Sequence, residues 1–311
     1  VITALREAPR RSLSIAQRIE RQKYQLAMDE MMARMDHLEA ESYRTILARV
    51  AEIRKDVVDR LIELPTTTDA AGNETWQAWQ LRGYQQELDR VLRQFRERYA
   101  AEFGDVQQRA ADLSGLQRAA LTELAMSAGV PRAVISFGSL GLLQDQVSAA
   151  IMYNAAALDG VSAALGASIN REIQQVVFGG QSRWDAVRNI RAALATEPGS
   201  DGKLGGLTER AITLERTALI SVYSLAQDFS LQHAAEELPG LQSEWVAILD
   251  RRTDPVCKDL GGKRVPVGKA FPGGIMRPPA HMRCRCRLVA FMPGWPDDPF
   301  PVGTPHRTAD Q

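Results

Sequence analysis

Apolar side chains recur along the first hundred residues of the chain at spacings of three or four. Between about residue 12 and residue 64 they fall at Tyr24, Met28, Met31, Met35 and Leu38, then at Ile46, Val50, Ile53, Val57, Leu61 and Leu64. A helix turns once in 3.6 residues, so this period lays one apolar stripe along a long helix. The polar, turn-forming residues 65–73, from Pro65 through Thr66 to Gly72 and Asn73, break that helix. A second stripe follows at Leu81, Tyr84, Leu88, Val91, Phe95, Tyr99 and Phe103. Two long helices with matching seams and a short polar connection predict an antiparallel hairpin, standing out as an arm. The plainer alternative is that both helices belong to a globular bundle.

Beyond Gly104 the sequence is lighter and rich in Ala. A short helix is expected over residues 116–127, ending at Gly129, with a short helix or loop over 130–143. Residues 144–178 predict a long helix, bent near Gly160 or Gly166 where helix propensity drops, and stopped by Gly179-Gly180. Ser182 is placed to cap the next helix, with Asp185 three residues on and Val187, Ile190 and Leu194 along one face. Residues 196–206 have the composition of a linker. Thr208 is expected to cap a further helix running to about Leu238, where Pro239-Gly240 ends it. Strand-like sequence appears only then, at 243–249 around Trp245 and at 285–291, with a Gly/Pro-rich loop over 261–279 between them. The fold class is therefore mainly α, with a long helical hairpin (1–112), a helical body (113–206), a small α+β C-terminal module (207–292) and an extended tail (293–311).

Composition is ordinary for a soluble protein, with 45 % apolar and 24 % charged residues. Thirty-eight Lys and Arg against 38 Asp and Glu leave no whole-chain field to attract nucleic acid or an anionic membrane. No segment approaches the roughly 18 uninterrupted apolar residues of a membrane span. Residues 1–11 lack the long apolar run of a signal peptide, and without an initiator Met the natural start is expected upstream. Locally the balance is different. Between Arg251 and Arg287 there are ten Lys and Arg against two Asp.

The same stretch holds all 3 cysteines of the chain, Cys257, Cys284 and Cys286, with His281 three residues before the second. An odd number does not make a secreted disulfide framework, and folding in a reducing cytosol fits best. Cys284 and Cys286 stand two apart, so in a strand their side chains leave the same face. With Cys257 and His281 they can form the tetrahedral shell of a structural zinc ion, and thiolates are favoured beside the neighbouring cations. Two other arrangements remain open at this point: small buried thiols, or a Cys257 disulfide to Cys284 or Cys286 formed outside the cell. An enzymatic version would need a water on the metal with Asp250 or Asp254 as base, and the only nearby histidine is already committed. No Ser-His-Asp order, Gly-rich phosphate loop or His-Glu-x-x-His motif stands elsewhere, so an enzyme is not expected.

The order Trp245, Asp250-Arg251-Arg252-Thr253, Cys257, Leu260-Gly261-Gly262 and Pro278-Pro279-Ala280-His281-Met282-Arg283-Cys284-Arg285-Cys286 resembles the bacteriophage Mu F-like minor head proteins. The resemblance runs from about residue 144 to residue 291 and includes the Ser182-capped helix and Glu215-Arg216-Thr217-Ala218. Two departures stand out. Ala218 occupies a place where family members often carry an acid, and Asp254 a place where many carry a further cysteine. The resemblance implies a minor capsid protein that binds the portal and other capsid proteins in several copies per virion. It would be assembled in the host bacterial cytoplasm and carried in the virion, without a membrane partner. Contact with packaged DNA is a further implication, for which Arg251, Arg252, Lys263, Arg264, Arg283, Arg285 and Arg287 are the candidate contacts to nucleic acid or a partner. Phe271 is the one aromatic among those cations, which argues against stacking on single strands. The alternative is a zinc-stabilised nucleic-acid-binding protein that acts on phage DNA without joining the capsid.

Overall fold

The first apolar stripe is carried by one unbroken helix, α1 (Ile15–Glu63), and the second by α2 (Ala78–Asp112). The computed structural model describes residues 15–68, 72, 74–76, 78–127, 140–178 and 180–293. The expectations for residues 1–14 and 128–139, for the stop at Gly179 and for most of the tail lie outside the described residues. Within the polar connection, β1 (Thr67–Thr68) and β2 (Glu74–Thr75) pair antiparallel, Thr67 opposite Thr75. The remaining elements are α3 (Ser114–Ser127), α4 (Leu140–Val177), α5 (Arg183–Ala193), α6 (Gly206–Glu237), β3 (Gln242–Val246), α7 (Pro255–Leu260), β4 (Arg264–Pro266) and β5 (Arg287–Phe291). No helix among the described residues is long and apolar enough to cross a membrane.

The chain forms two compact units that are interleaved along the sequence. One comprises residues 38–108 and 148–219. Here α1 and α2 run antiparallel: Arg49 Nε donates to Glu102 Oε2 at 2.9 Å, Arg60 pairs with Glu87, and Tyr84 Oη reaches the Val57 carbonyl. Their stripes, including Val57, Leu61, Tyr84, Leu88, Tyr99 and Phe103, close on Leu165, Ile169 and Ile173 of α4, Val187 and Ile190 of α5, and Ile212 of α6. Over residues 38–108 the two helices of the hairpin are packed against α4, α5 and α6. A seam this long and apolar is stabilised by burial at about 25 cal/mol per Å², and three further helices supply the cover. Gly166 does not interrupt α4. A Cβ there would lie 3.1 Å from Leu92 Cδ1, so the glycine serves close helix packing.

Ser182 caps α5 as expected, accepting from Asp185 N. The start of α6 differs from expectation. Gly205 supplies the cap carbonyl to Glu209 N at 2.9 Å, and Thr208 lies inside the helix, buried. Gly205 can do this because it sits against the end of α5, where a Cβ would overlap the backbone of Ala192, Ala193 and Ala195. Thr208 lies three residues past the cap position.

The other unit comprises residues 1–37, 109–147 and 220–311. Its small sheet has the order β4-β3-β5, both pairings antiparallel, with Ser243 opposite Val265 on one side and Ala290 on the other. The pairing of β4 with β3 lies in what reads as featureless Gly/Pro loop. The open edge of β5 is closed by side chains, as exposed edges usually must be. Gln227 of α6 donates to the Leu288 carbonyl at 3.0 Å, and Tyr24 Oη accepts from Ala290 N at 2.7 Å. Tyr24, Met28, Met31 and Met35 are buried within this unit, as are Tyr223 and Leu231.

Candidate metal centre

Three segments of the sheet-bearing unit bring the cysteines together. Strand β3 buries Trp245 edge-on against Phe271, ring centroids 5.2 Å apart. The turn after it is held by Asp250, whose carboxylate accepts from Arg252 N at 2.8 Å while Asp250 N donates to Thr253 Oγ1 at 2.8 Å. Asp254 then caps α7 by accepting from Val256 N, with Pro255 in the first turn. An Asp before a Pro is a good helix start, since the ring lacks the N–H that would go unpaired. Six residues of helix turn Cys257 and Leu260 inward, and Gly262, at φ +74°, returns its N–H to the Trp245 carbonyl.

The third segment contains His281 to Cys286. It lies just before β5, so the cysteine pair is presented by a turn and an extended approach to the strand, and not by the strand itself. Cys284 N donates to the His281 carbonyl at 3.2 Å, with Arg283 at φ +60° closing the turn. All three sulfurs lie within 4.8 Å of one another, and all three residues are buried. Cys257 Sγ is 3.7 Å from Cys284 Sγ and 3.0 Å from His281 Nε2. His281 Nδ1 is 2.7 Å from the Met282 carbonyl, an acceptor, so Nδ1 carries the proton and Nε2 faces Cys257 Sγ.

Crowding splits the thiols electrostatically. Hydrogen bonds from Cys257 and Cys286 pull Cys284 down to about 2, with backbone N–H groups assisting. Donation to Cys284 pushes Cys257 up to about 12, and Cys286 is raised by its hydrogen bonds to Cys257 and Cys284 and by burial. The three soft sulfurs could together hold a metal ion, while His281 stands at Cys257 and outside that three-residue group.

Arg285, between the two ligating positions, makes a two-pronged contact with Asp250, both bonds 2.7 Å. That guanidinium holds the Asp250 carboxyl well below the usual carboxylate range. Asp250 and Asp254 are therefore engaged as a clamp and a cap, which leaves neither placed as a base. The cations anticipated as partner contacts divide. Arg264 pairs with buried Glu244 at 2.8 Å and lies over the Phe291 ring, while Arg287 is buried over Tyr223 with Asp36 at 4.0 Å. Arg251, Arg252, Lys263 and Arg283 are exposed, as is Lys258. Sequence reasoning missed the Asp250–Arg285 clamp, since nothing in spacing pairs residues 35 apart. It also missed Asp254 as a cap, for which the Asp-Pro pair was the available signal.

No curated protein and no solved structure matches the chain. Residues 167–289 match the model of the family described as Phage Mu protein F like protein, a span that takes in α5, α6, β3, β4, the start of β5 and the cysteine cluster. Over that segment, less than half of the chain, the protein is similar to the Mu F-like phage proteins.

Proposed function

We propose that this protein is a minor capsid protein of a phage head, binding the portal and acting in head assembly without catalysis of its own. The observation that carries the proposal is the Mu F-like match over residues 167–289. It is assembled in the host cytoplasm, enters the virion in several copies, and can contact packaged DNA through its exposed cations. Within it, Cys257, Cys284, Cys286 and His281 hold a structural zinc ion. The donor set supports this: three sulfurs within 4.8 Å of one another, with His281 Nε2 3.0 Å from Cys257 Sγ and its Nδ1 turned to the Met282 carbonyl. The engagement of Asp250 and Asp254 supports a structural site over a hydrolytic one.

Co-migration on a sizing column with the portal protein of the same phage tests the assembly role, with zinc assayed in the same fractions. A stoichiometric complex is expected. Failure to bind the portal, together with salt-sensitive retention on duplex DNA, would instead favour a nucleic-acid-binding protein acting outside the capsid.

A further inference from the structure

We infer that Cys257 and Cys284 are an oxidation pair, which a small hydroperoxide closes into a disulfide at the expense of metal binding. The inference rests on the zinc reading of this site given above. Cys257 Sγ lies 3.7 Å from Cys284 Sγ, across 27 residues of sequence, and both side chains are buried. Bonded sulfurs stand about 2.0 Å apart, so closing the pair takes less than about 2 Å of movement in all. The other pairings are less favourable. Cys284 and Cys286 stand two apart on the extended approach to β5, roughly 6.6 Å between Cα atoms and near the upper limit that a disulfide spans. Cys286 also leads directly into Arg287, which is held in register opposite Val246 of β3, so it has the least freedom to move.

The chemistry balances. One sulfur attacks the peroxide, its S–O bond forming as the O–O bond breaks, and the leaving alkoxide takes a proton. The other sulfur then attacks the first, the S–S bond forms as the S–O bond breaks, and the hydroxide takes a proton and leaves as water. Two thiols and one hydroperoxide yield one disulfide, one alcohol and one water; the sulfurs lose two electrons and the peroxide gains them. Burial of the sulfurs bars a bulky oxidant such as oxidised glutathione, which is why the oxidant is a small peroxide. Once the bond is made, Cys286 and His281 remain as donors, too few for the four-coordinate shell of a structural zinc ion. The same two segments, α7 and the turn before β5, stay tied by the bond, so oxidation exchanges one tether for another.

The test treats the full chain, loaded with zinc, with hydrogen peroxide. Zinc release is read with a metallochromic dye, and linkages by peptide mapping without reductant. Zinc is expected to fall from about one per chain towards none as a Cys257–Cys284 linkage appears, with Cys286 still open to alkylation after denaturation. A thiol reductant with added zinc should restore the starting state. Cys286→Ser, treated metal-free beside metal-free wild type, is expected to form the same linkage. Linkages through Cys286, zinc lost to sulfinic acids without a linkage, or zinc retained under excess peroxide would each overturn the inference and leave the zinc reading standing. A chain that never binds zinc, yet closes Cys257 to Cys284 under peroxide, would overturn the zinc reading and support the pairing.

Discussion

At the scale of single residues, the two carboxylates with the clearest burial or pairing respond to acid in opposite directions. Asp250 is held below its unfolded value by Arg285, so its contribution to stability is present above the unfolded pKa. It is lost as pH falls below about 4, towards the folded value. Removing the clamp by Arg285→Ala is expected to cost about 1.5–3 kcal/mol at neutral pH, read from denaturant midpoints. The loss should shrink on acidification. Glu215 is the reverse case. It is buried, accepts a hydrogen bond from Tyr99, and burial pushes its carboxyl well above the usual range. Ionisation of the unfolded chain therefore penalises folding as pH rises above about 4, and the penalty grows up to the folded pKa. Glu215→Gln is expected to raise the melting temperature more at pH 7 than at pH 4.5. An equal shift at both pH values would mean that Glu215 is already ionised in the folded state.

At the scale of elements, a helix is specified where a long periodic stripe recurs, and a turn where backbone geometry leaves one residue type. Gly205 is the second kind, because the α5–α6 corner has no room for a Cβ. Gly205→Ala should cost about 1–3 kcal/mol from overpacking, against about 1 kcal/mol for loss of the Ser182 cap by Ser182→Ala. Thermal melts of the two variants decide the order. The long helices were legible in advance because fifty residues of 3.6 periodicity leave few alternatives. Strand β4 and helix α7 were not, for a physical reason. Three and six residues are too short for any period, and both exist because β3 offers a pairing edge and Asp254 a cap. The hairpin's helices were legible while their burial was not, since an apolar stripe does not say which helix will cover it. The cysteines were half legible. Their types pointed to one site, while the turn at Arg283 and the clamp of Arg285 on Asp250, which assemble it, leave no local pattern.

At the scale of the whole molecule, the two units stand on different supports. The helical unit has a continuous apolar core drawn from five helices. Residues 250–286 bury few large apolar side chains, chiefly Leu260 and Phe271, and are tied by the clamp, the α7 cap and the cysteine cluster. Segments of this kind are too small to fold on hydrophobic burial alone, and metal binding then becomes folding free energy. Removing zinc should therefore loosen that segment selectively. Hydrogen exchange measured before and after chelation is expected to show protection lost over residues 255–286 and retained in α2 and α4. Cys284→Ser should mimic the chelator, with zinc content falling from about one per chain towards none. Exchange unchanged by chelation, in a protein that had held zinc, would show that the clamp and the cap suffice and that the ion sits on a segment already folded. Loss of protection confined to 255–286 would make the ion the element that orders the segment between α7 and β5.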